Sequence, residues 1–279
     1  MARSYEETAT ITAQSYYNSS DADTFYYTIW GGEDIHIGLY EEPDEDIGTA
    51  SRRTVAQMAE NTDLGPDSVV LDIGSGYGGA ARYLAGRFGC KVVALNLSEV
   101  ENKRAREQNR KAGLEDKIEV VDGSFEDIPF EDNSFDLIWS QDAMLHSGRR
   151  EQVLKEAARV LKTGGQMVFT DPMRADDCET EELGPILARL DLEDLACPAF
   201  YRETLSRLGF EEIGFDENTQ QLATHYQRVH DETVVRDAEL SKVVSRDYIE
   251  RMKNGLRHWV DGGQKGRLAW GIFHFRKVS

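Results

Sequence analysis

The sequence predicts an α/β fold in which a mostly parallel, seven-stranded sheet carries helices on both faces and a helical cap. Two observations predict this fold. Between residues 69 and 170, short apolar segments alternate with segments of helical character, and the first apolar segment ends in an acid and a glycine-rich turn. Such alternation indicates a parallel sheet, because parallel neighbours need a crossover helix between them. A chain of 279 residues can bury one such core with additions.

Local signals justify each element in order. The helix over 99–112 is expected to begin after Ser98, which can cap its first turn, and to end at Gly113. The other core helices are expected over 80–88 and 152–161. The predicted strands cover residues 69–73, 91–95, 118–121, 135–139, 166–170, 210–215 and 268–275.

The alternation is confined to the middle of the chain, so four regions are predicted. Residues 61–173 form the doubly wound core, and residues 263–279 contribute the strand that completes the sheet. Residues 1–60 form an N-terminal helical cap segment, and residues 174–262 hold further cap insertions around a strand at 210–215. The cap is expected over the carboxyl ends of the strands, where open α/β sheets bind ligands.

The chain carries a formal net charge of −19, and six consecutive residues, 41–46, include five acids. Phosphate backbones and anionic membranes bind clustered Lys and Arg, so this charge argues against nucleic acid and membranes as partners. An acidic surface suits a salt-rich cytoplasm, and an ordinary acidic enzyme explains it equally well.

The sequence predicts a cytoplasmic protein. Apolar runs such as 92–95 are too short to cross a bilayer, and no apolar segment typical of a secretory signal follows the first residues. Cys90, Cys178 and Cys197 are odd in number and lack metal-type spacing, as expected of reduced thiols. The sequence is compatible with a monomer or a homodimer.

The glycine-rich turn is the first functional motif. Asp72 ends the first predicted strand, and Gly74, Gly76 and Gly78 follow it before a helix begins. Glycines allow a tight turn, and the helix N-terminus behind them favours anions. Alone, this turn fits any dinucleotide-binding fold, including NAD enzymes. With V-L-D-I before it and G-x-G-x-G-G spacing, it resembles motif I of the class I S-adenosylmethionine-dependent methyltransferases, which have a Rossmann-like fold.

Later segments extend this resemblance in the expected order. Asn96 and Leu97 follow the second strand where that superfamily usually has an acid for the ribose, and Gly123, Ser124 and Phe125 resemble its adenine loop. The resemblance implies S-adenosylmethionine as cofactor and S-adenosylhomocysteine as product. Residues expected at the cofactor are Asp72, Gly74, Gly76, Gly78, Asn96, Leu97, Gly123, Ser124, Phe125 and Gln141.

Three further segments, 26–36, 139–146 and 170–173, narrow the family. They resemble the sarcosine and dimethylglycine N-methyltransferases of glycine betaine synthesis, and the resemblance covers nearly the whole chain. The implied substrates are small amino acids, and the implied role is osmoprotection. The alternatives are a phosphoethanolamine-type N-methyltransferase, a lipid methyltransferase of the cyclopropane-synthase kind and a cofactor-binding regulator without turnover.

Methyl transfer to nitrogen needs an unprotonated amine, because a protonated nitrogen has no lone pair. Asp142 and His146 follow the fourth strand and lie four residues apart, which places them on one face if the segment is helical. His146, oriented by Asp142, is therefore the expected proton acceptor. A purely structural histidine is the alternative.

The substrate site is expected to combine aromatic rings for the cationic product with an Arg for the carboxylate. The aromatic candidates are Tyr26, Tyr27, Trp30, Tyr201, Tyr226 and Trp270, of which two or three are expected to touch ligand. Arg174 is the expected carboxylate ligand, with Arg189 and Arg202 behind it. The predicted substrate residues are Tyr26, Tyr27, Trp30, Gln141, His146, Met173, Arg174 and Tyr201.

No metal site is predicted. The remaining histidines lack the spacing of metal-binding motifs, and methyl transfer to nitrogen needs no metal. These histidines are His36, His225, His230, His258 and His274.

Overall fold

The structure, a computed structural model, describes residues 5–279. Its strands are β1 (Val69–Ile73), β2 (Lys91–Asn96), β3 (Ile118–Asp122), β4 (Phe135–Gln141), β5 (Leu161–Thr170), β6 (Met173–Arg174), β7 (Phe210–Glu217), β8 (Leu268–Ala269) and β9 (Gly271–Lys277). Its α-helices are α1 (Tyr5–Tyr17), α2 (Ser20–Ile29), α3 (Ile47–Ala59), α4 (Gly79–Phe88), α5 (Glu99–Lys111), α6 (Arg150–Val160), α7 (Gly184–Leu187), α8 (Pro198–Arg207), α9 (Thr219–Val235), α10 (Asp237–Leu240) and α11 (Arg246–Gln264). Single 3₁₀ turns cover Met144–His146 and Thr180–Leu183.

Seven strands form one sheet in the order β3-β2-β1-β4-β5-β9-β7. Strands β1 to β5 pair in parallel, and β9 runs antiparallel between β5 and β7. The predicted fold class is therefore confirmed. The carboxyl ends of β1, β2 and β4 lie side by side at one edge of the sheet, which brings residues far apart in sequence together there.

The sheet has an apolar core on each face. On one face, α3 and α4 contribute Val55, Met58 and Leu84 to a cluster that also contains Val70 of β1. On the other face, Leu154 of α6 is part of a cluster with residues of β4, β5 and α8. Burial on both faces explains why the central strands read as continuous apolar runs rather than as alternating ones.

A third apolar cluster builds the cap. It joins α2, α9 and α11 around side chains such as Phe25, Leu222 and Trp259, all of which are fully buried. Helix α3 lies within the predicted cap segment 1–60 yet packs on the sheet, and α8 of the region 174–262 does the same through Leu205. The proposed boundaries between the four regions stay predictions.

The C-terminal strand differs from its prediction. One strand was expected over 268–275, whereas Trp270 separates β8 from β9. The backbone of Trp270 bonds to the start of α9 instead of to a strand, since its N–H donates to Thr219 Oγ1 at 3.2 Å and its carbonyl accepts from Asn218 N at 2.9 Å. Strand β8 then pairs with the unpredicted β6 in a small second sheet.

The predicted helix signals around α5 are confirmed. Ser98 Oγ accepts a hydrogen bond from Glu101 N at 3.2 Å and so caps the helix. Gly113, just beyond the helix, has φ of +67°, a conformation that favours glycine. Across residues 5–279, none of the helices combines the length and the apolar composition that crossing a bilayer requires.

The aromatic stack behind β5 and β9 should dominate the stability of the core. Phe273 is fully buried, and its ring stacks on Phe215 at 4.3 Å and on Phe169 at 5.0 Å between centroids. We expect Phe273→Ala to lower the free energy of unfolding by about 3–5 kcal/mol in urea titrations, because it leaves a cavity that cannot collapse. Val278→Ala, on an exposed side chain, is the control. A loss in Phe273→Ala no larger than the control's would contradict this packing.

Candidate active site

A cavity lies at the carboxyl ends of β1, β2 and β4. It is bounded by the glycine-rich turn, by the start of α5 and by α1, which contributes Gln14 and Tyr17. Gln14 Nε2 also donates to Leu97 O at 3.3 Å, which ties α1 to the core. The predicted cofactor residues that line this cavity are Asp72, Gly74, Gly76, Asn96, Leu97, Phe125 and Gln141.

The other three predicted cofactor residues lie outside this lining and have local roles. Gly78 caps α4 with a left-handed φ of +74°. A Cβ at Gly123 would come within 2.9 Å of Leu95 Cδ1. Ser124 Oγ accepts from Glu126 N at 3.1 Å and so shapes its own turn.

Two buried acids give the cavity its electrostatic character. Asp72 has one carboxylate oxygen, Oδ2, without a hydrogen-bond partner among the described residues, and burial raises its pKa to about 7. Burial likewise raises the pKa of Glu101 to about 7, against the effect of a hydrogen bond from Asn96. Buried carboxylates are stabilised by cations or hydroxyl donors, so the cavity fits a ligand that supplies both.

Glu101 was missed in the sequence. The acid expected at the end of β2 is replaced by Asn96, whose Nδ2 donates to Glu101 Oε2 at 2.9 Å. The signal was available, because the Ser98 cap places the residue three positions later in the first turn of α5. The carboxylate is thus present at the expected edge of the cavity and is carried by the helix instead of the strand.

A second, smaller cavity lies beneath the cap. Its walls include the aromatic side chains of Tyr26 in α2, of Trp30 just after α2, and of Tyr226 in α9. The two cavities share one wall, and a molecule in either cavity would meet the same side chains there. The shared residues are Tyr17, Ile35, His36, Asp142 and His146.

Asp142 is held rigidly at this wall. Its φ of +50° is unusual for a residue other than glycine. Its carboxylate accepts from Ile37 N at 2.7 Å and from Trp270 Nε1 at 2.9 Å. Burial raises the pKa of Asp142, and these two donors oppose that rise.

His146 does not bond to Asp142, so the expectation that Asp142 orients the imidazole is wrong. The carboxylate is occupied by Ile37 and Trp270, and His146 Nε2 instead lies 2.8 Å from the hydroxyl of Tyr17. Tyr17 was not predicted, because it comes from a helix 129 residues away in sequence. Burial, followed by the charges of Arg189 and Arg150, lowers the pKa of His146 to about 3.

The structure separates the aromatic candidates. Tyr26, Trp30 and Tyr226 line the second cavity. Tyr27 lies on a different side of α2 from Tyr26, because successive residues of a helix point about 100° apart. There its side chain is 40% exposed, and the Arg104 guanidinium lies 4.4 Å from the centre of its ring.

Other predicted substrate residues are also outside the second cavity. Tyr201 donates to Asp171 Oδ2 at 2.7 Å within the core, and Met173 is fully buried in the same cluster. Gln141 borders only the first cavity, where its Oε1 accepts from Trp139 Nε1 at 3.0 Å. Trp270 acts through Asp142, as described above.

Among the arginine candidates, Arg189 is the one at the cavity. Arg174 donates to the carbonyl of Cys178 at 2.9 Å and is absent from the lining, which corrects its expected role. Arg202 pairs with Glu212 at 2.9 Å near the surface. Arg189 lies just after α7, and its side chain lines the second cavity beneath the cap.

Arg189 is a buried cation without a counter-ion among residues 5–279. It is 7% exposed, and its guanidinium lies over the rings of Tyr226 at 5.3 Å and Trp259 at 5.7 Å. Its Nη2 donates to Tyr26 Oη at 3.4 Å, while Nε and Nη1 have no partner in the described part of the chain. No carboxylate of the described residues forms a salt bridge with it. Such a group is costly unless an anion joins it.

The histidines do not converge on a metal site in the described part of the chain. No three His, Cys, Asp or Glu side chains there are placed to hold an ion. His36 and His225 line the second cavity, whereas His274 is bonded to Gln166 on the far part of the sheet at 2.9 Å.

Comparison with known proteins identifies the family. A family described as "Methyltransferase domain" matches residues 71–169. The sarcosine/dimethylglycine N-methyltransferase of Halorhodospira halochloris is 60% identical over 99% of this chain and 100% of its own length. The chain belongs to the sarcosine/dimethylglycine N-methyltransferase family. The enzyme of the same name from Aphanothece halophytica is 51% identical over 95% of this chain and 96% of its own length.

A solved structure agrees with this family. The crystal structure of a candidate sarcosine dimethylglycine methyltransferase from Galdieria sulphuraria has a TM-score of 0.89 and 43% identity, covering 94% of this chain and 98% of that one. The predicted family and enzyme class, an S-adenosylmethionine-dependent N-methyltransferase, are therefore confirmed.

In this methyltransferase, His146 should stay uncharged across the neutral range. Its pKa of about 3 means that the ring nitrogens should show the ¹⁵N shifts of a neutral imidazole from pH 8 down to pH 5, since burial and two arginines oppose the proton. Labelled-histidine NMR on the ligand-free protein measures this, with His146→Gln to assign the signal. A titration midpoint between pH 5 and pH 8 would contradict the environment described here.

Proposed function

We propose that this protein transfers methyl groups from S-adenosylmethionine to the nitrogen of sarcosine and dimethylglycine, giving glycine betaine as an osmoprotectant. The observation that carries the proposal is the buried, unpaired cation of Arg189 in a small cavity that meets the cofactor cavity. The names of the related enzymes from Halorhodospira halochloris and Aphanothece halophytica support the same substrates.

The substrate carboxylate is the anion that Arg189 lacks. Arg is well suited to bind carboxylates, and two nitrogens of Arg189, Nε and Nη1, have no hydrogen-bond partner among the described residues. The rings of Tyr26, Trp30 and Tyr226 line the rest of the cavity. Aromatic faces stabilise the quaternary ammonium that forms as methyl groups accumulate.

The amine then lies at the wall that the two cavities share. The Asp142 carboxylate attracts the ammonium there, and neutral His146 accepts its proton, with Tyr17 bonded to the ring. Burial, followed by the charges of Arg189 and Arg150, lowers the pKa of His146. A substrate carboxylate offsets the contribution of Arg189, so substrate binding makes proton transfer to the ring less unfavourable.

The first cavity holds the methyl donor. S-adenosylmethionine supplies a methyl group on a positively charged sulfur. Asp72 has an unpaired carboxylate oxygen that suits the ammonium group of the cofactor. Asn96 and Glu101 suit the ribose hydroxyls, because a buried carboxylate such as that of Glu101, whose pKa is raised, is stabilised by hydrogen-bond donors. Phe125 lines the same cavity and suits the adenine ring.

The alternative substrates fit less well. A phosphoethanolamine-type substrate carries a dianionic phosphate, whereas Arg189 is the one Lys or Arg that lines the second cavity within residues 5–279. A lipid needs a long apolar cleft, whereas the charged side chains of Asp142 and Arg189 line the second cavity. The net charge of −19 supports the proposal that the enzyme works without nucleic acid or membrane partners in the cytoplasm, and the chemistry requires no metal.

Substrate turnover tests the function directly. The purified protein, with S-adenosylmethionine, should methylate sarcosine and dimethylglycine and not phosphoethanolamine. Arg189→Met should raise KM for dimethylglycine by at least about thirtyfold, because losing a buried charge pair costs about 2 kcal/mol or more. Arg174→Met is the matched control and should leave KM unchanged. Turnover on phosphoethanolamine alone, or equal effects of the two variants, would overturn the assignment.

Cofactor affinity tests the role of Glu101. Glu101→Ala should weaken S-adenosylhomocysteine binding by about tenfold, measured by calorimetry, because it removes a charged acceptor for the ribose. Glu99→Ala is the matched control, since Glu99 lies in the same helical turn and is exposed. Unchanged affinity in Glu101→Ala would place the ribose elsewhere.

A further inference from the structure

Two other donors face the second cavity without partners. Trp30 Nε1 and His225 Nε2 are buried, line or border this cavity and form no hydrogen bond with the described residues. Their rings lie 5.4 Å apart between centroids. His225 is fully buried beside Tyr226, over which the Arg189 guanidinium lies. Donors of this kind are costly to bury unless a ligand accepts from them.

The tautomer of His225 follows from its surroundings. The backbone N–H of Gly38 donates to His225 Nδ1 at 3.2 Å, and the hydroxyl of Tyr40 lies 2.9 Å from the same atom. A backbone amide can only donate, so Nδ1 must be an acceptor. A neutral imidazole carries one proton, and that proton is therefore on Nε2.

The same contacts keep His225 neutral. A second proton would set Nδ1–H against the Gly38 N–H, which can only donate. Burial, together with the neighbouring His36 and Arg189, lowers the pKa of His225 to about 3. Nε2–H is thus a permanent donor, unlike that of a histidine which titrates near neutral pH.

The segment that fixes this donor is itself tightly packed. A Cβ at Gly38 would come within 2.8 Å of the backbone of Ala50 in α3. Thr54 Oγ1 donates to Ile37 O at 2.8 Å, and Leu39 N donates to Ala50 O at 3.0 Å. Helix α3 therefore holds the Gly38 amide, and through it the imidazole, in a preformed position.

We propose that His225 is a specificity-determining residue, whose Nε2–H donates to the substrate carboxylate beside Arg189, with Trp30 Nε1 as a third donor. This inference rests on the proposed function and extends it. A carboxylate has lone pairs for all three donors, whereas an alcohol oxygen must also place its own proton. The site therefore selects amino-acid substrates over amino alcohols that present an identical amine.

Two substitutions separate the two nitrogens of His225. In His225→Asn, the side-chain amide oxygen can replace Nδ1 as the acceptor for the Gly38 N–H, but the donor at the position of Nε2–H is lost. In His225→Gln, the longer amide keeps a donor within reach of the carboxylate. The probes are glycine betaine and choline, which share a trimethylammonium group and differ in carboxylate against alcohol. Each is titrated calorimetrically in the presence of S-adenosylhomocysteine.

We expect His225→Asn to weaken betaine binding by about tenfold or more, with choline affinity changed less than threefold, because only betaine loses an acceptor-to-donor contact. His225→Gln should recover most of the betaine affinity. KM for dimethylglycine should rise in His225→Asn with kcat nearly constant. Unchanged S-adenosylhomocysteine affinity shows that each variant is folded.

The outcomes distinguish this inference from the function beneath it. Equal losses for betaine and choline, or no loss for either, would overturn the role of His225 while leaving methylation intact. If wild-type protein binds S-adenosylhomocysteine but neither methylates dimethylglycine nor binds betaine, the proposed function fails and this inference fails with it.

Discussion

The Asp142 carboxylate is the interaction on which the site depends. It joins three parts of the chain, because it accepts from the backbone of the segment after α2, from Trp270 between β8 and β9, and is itself carried by the end of β4. It therefore links the segment after α2 and the C-terminal strands at one point of the sheet edge. The left-handed conformation of Asp142 is the local cost of that arrangement.

The site also concentrates buried charge. Arg189 has no paired carboxylate in the part of the chain that the structure describes. Asp72 and Glu101 are acids whose pKa values burial raises, and His146 is a base that burial keeps neutral. Each departure from ordinary ionisation has the same physical origin, removal from water. The charges are complementary to those of the proposed ligands. Arg189 under the cap suits the substrate carboxylate, and the acids Asp72 and Glu101 around the first cavity suit the ammonium and hydroxyl groups of the cofactor.

Much of the fold was readable from local signals. The strands are apolar runs between turns, and Ser98 and Gly113 mark the ends of α5 by short-range hydrogen bonding and backbone geometry. The prediction of one continuous strand over 268–275 was wrong. The backbone of Trp270 leaves the sheet and bonds to Thr219, a contact that no local pattern encodes. Register and caps are local properties, whereas the change of sheet is a tertiary one.

The site was predictable only in part for the same reason. Seven of the ten residues expected at the cofactor line the first cavity. Tyr27 and Arg174 lie outside the second cavity, because residue type shows neither which way a helical side chain faces nor that Arg189 turns inward. Tyr17 and His225 reach the cavity from helices that are distant in sequence. Spacing identifies residues on one element, and contacts between elements need the packed structure.

The buried position of Arg189 has a consequence for repeated methylation. In an α-amino acid, one carbon separates the carboxylate from the nitrogen, whatever number of methyl groups the nitrogen carries. If Arg189 holds the carboxylate as proposed, the nitrogen lies at the same fixed distance from this anchor in each round of methylation. Methyl groups that are already on the nitrogen must then lie toward the aromatic wall. Successive rounds therefore fill the space beside these rings, while the position of the reacting nitrogen stays the same.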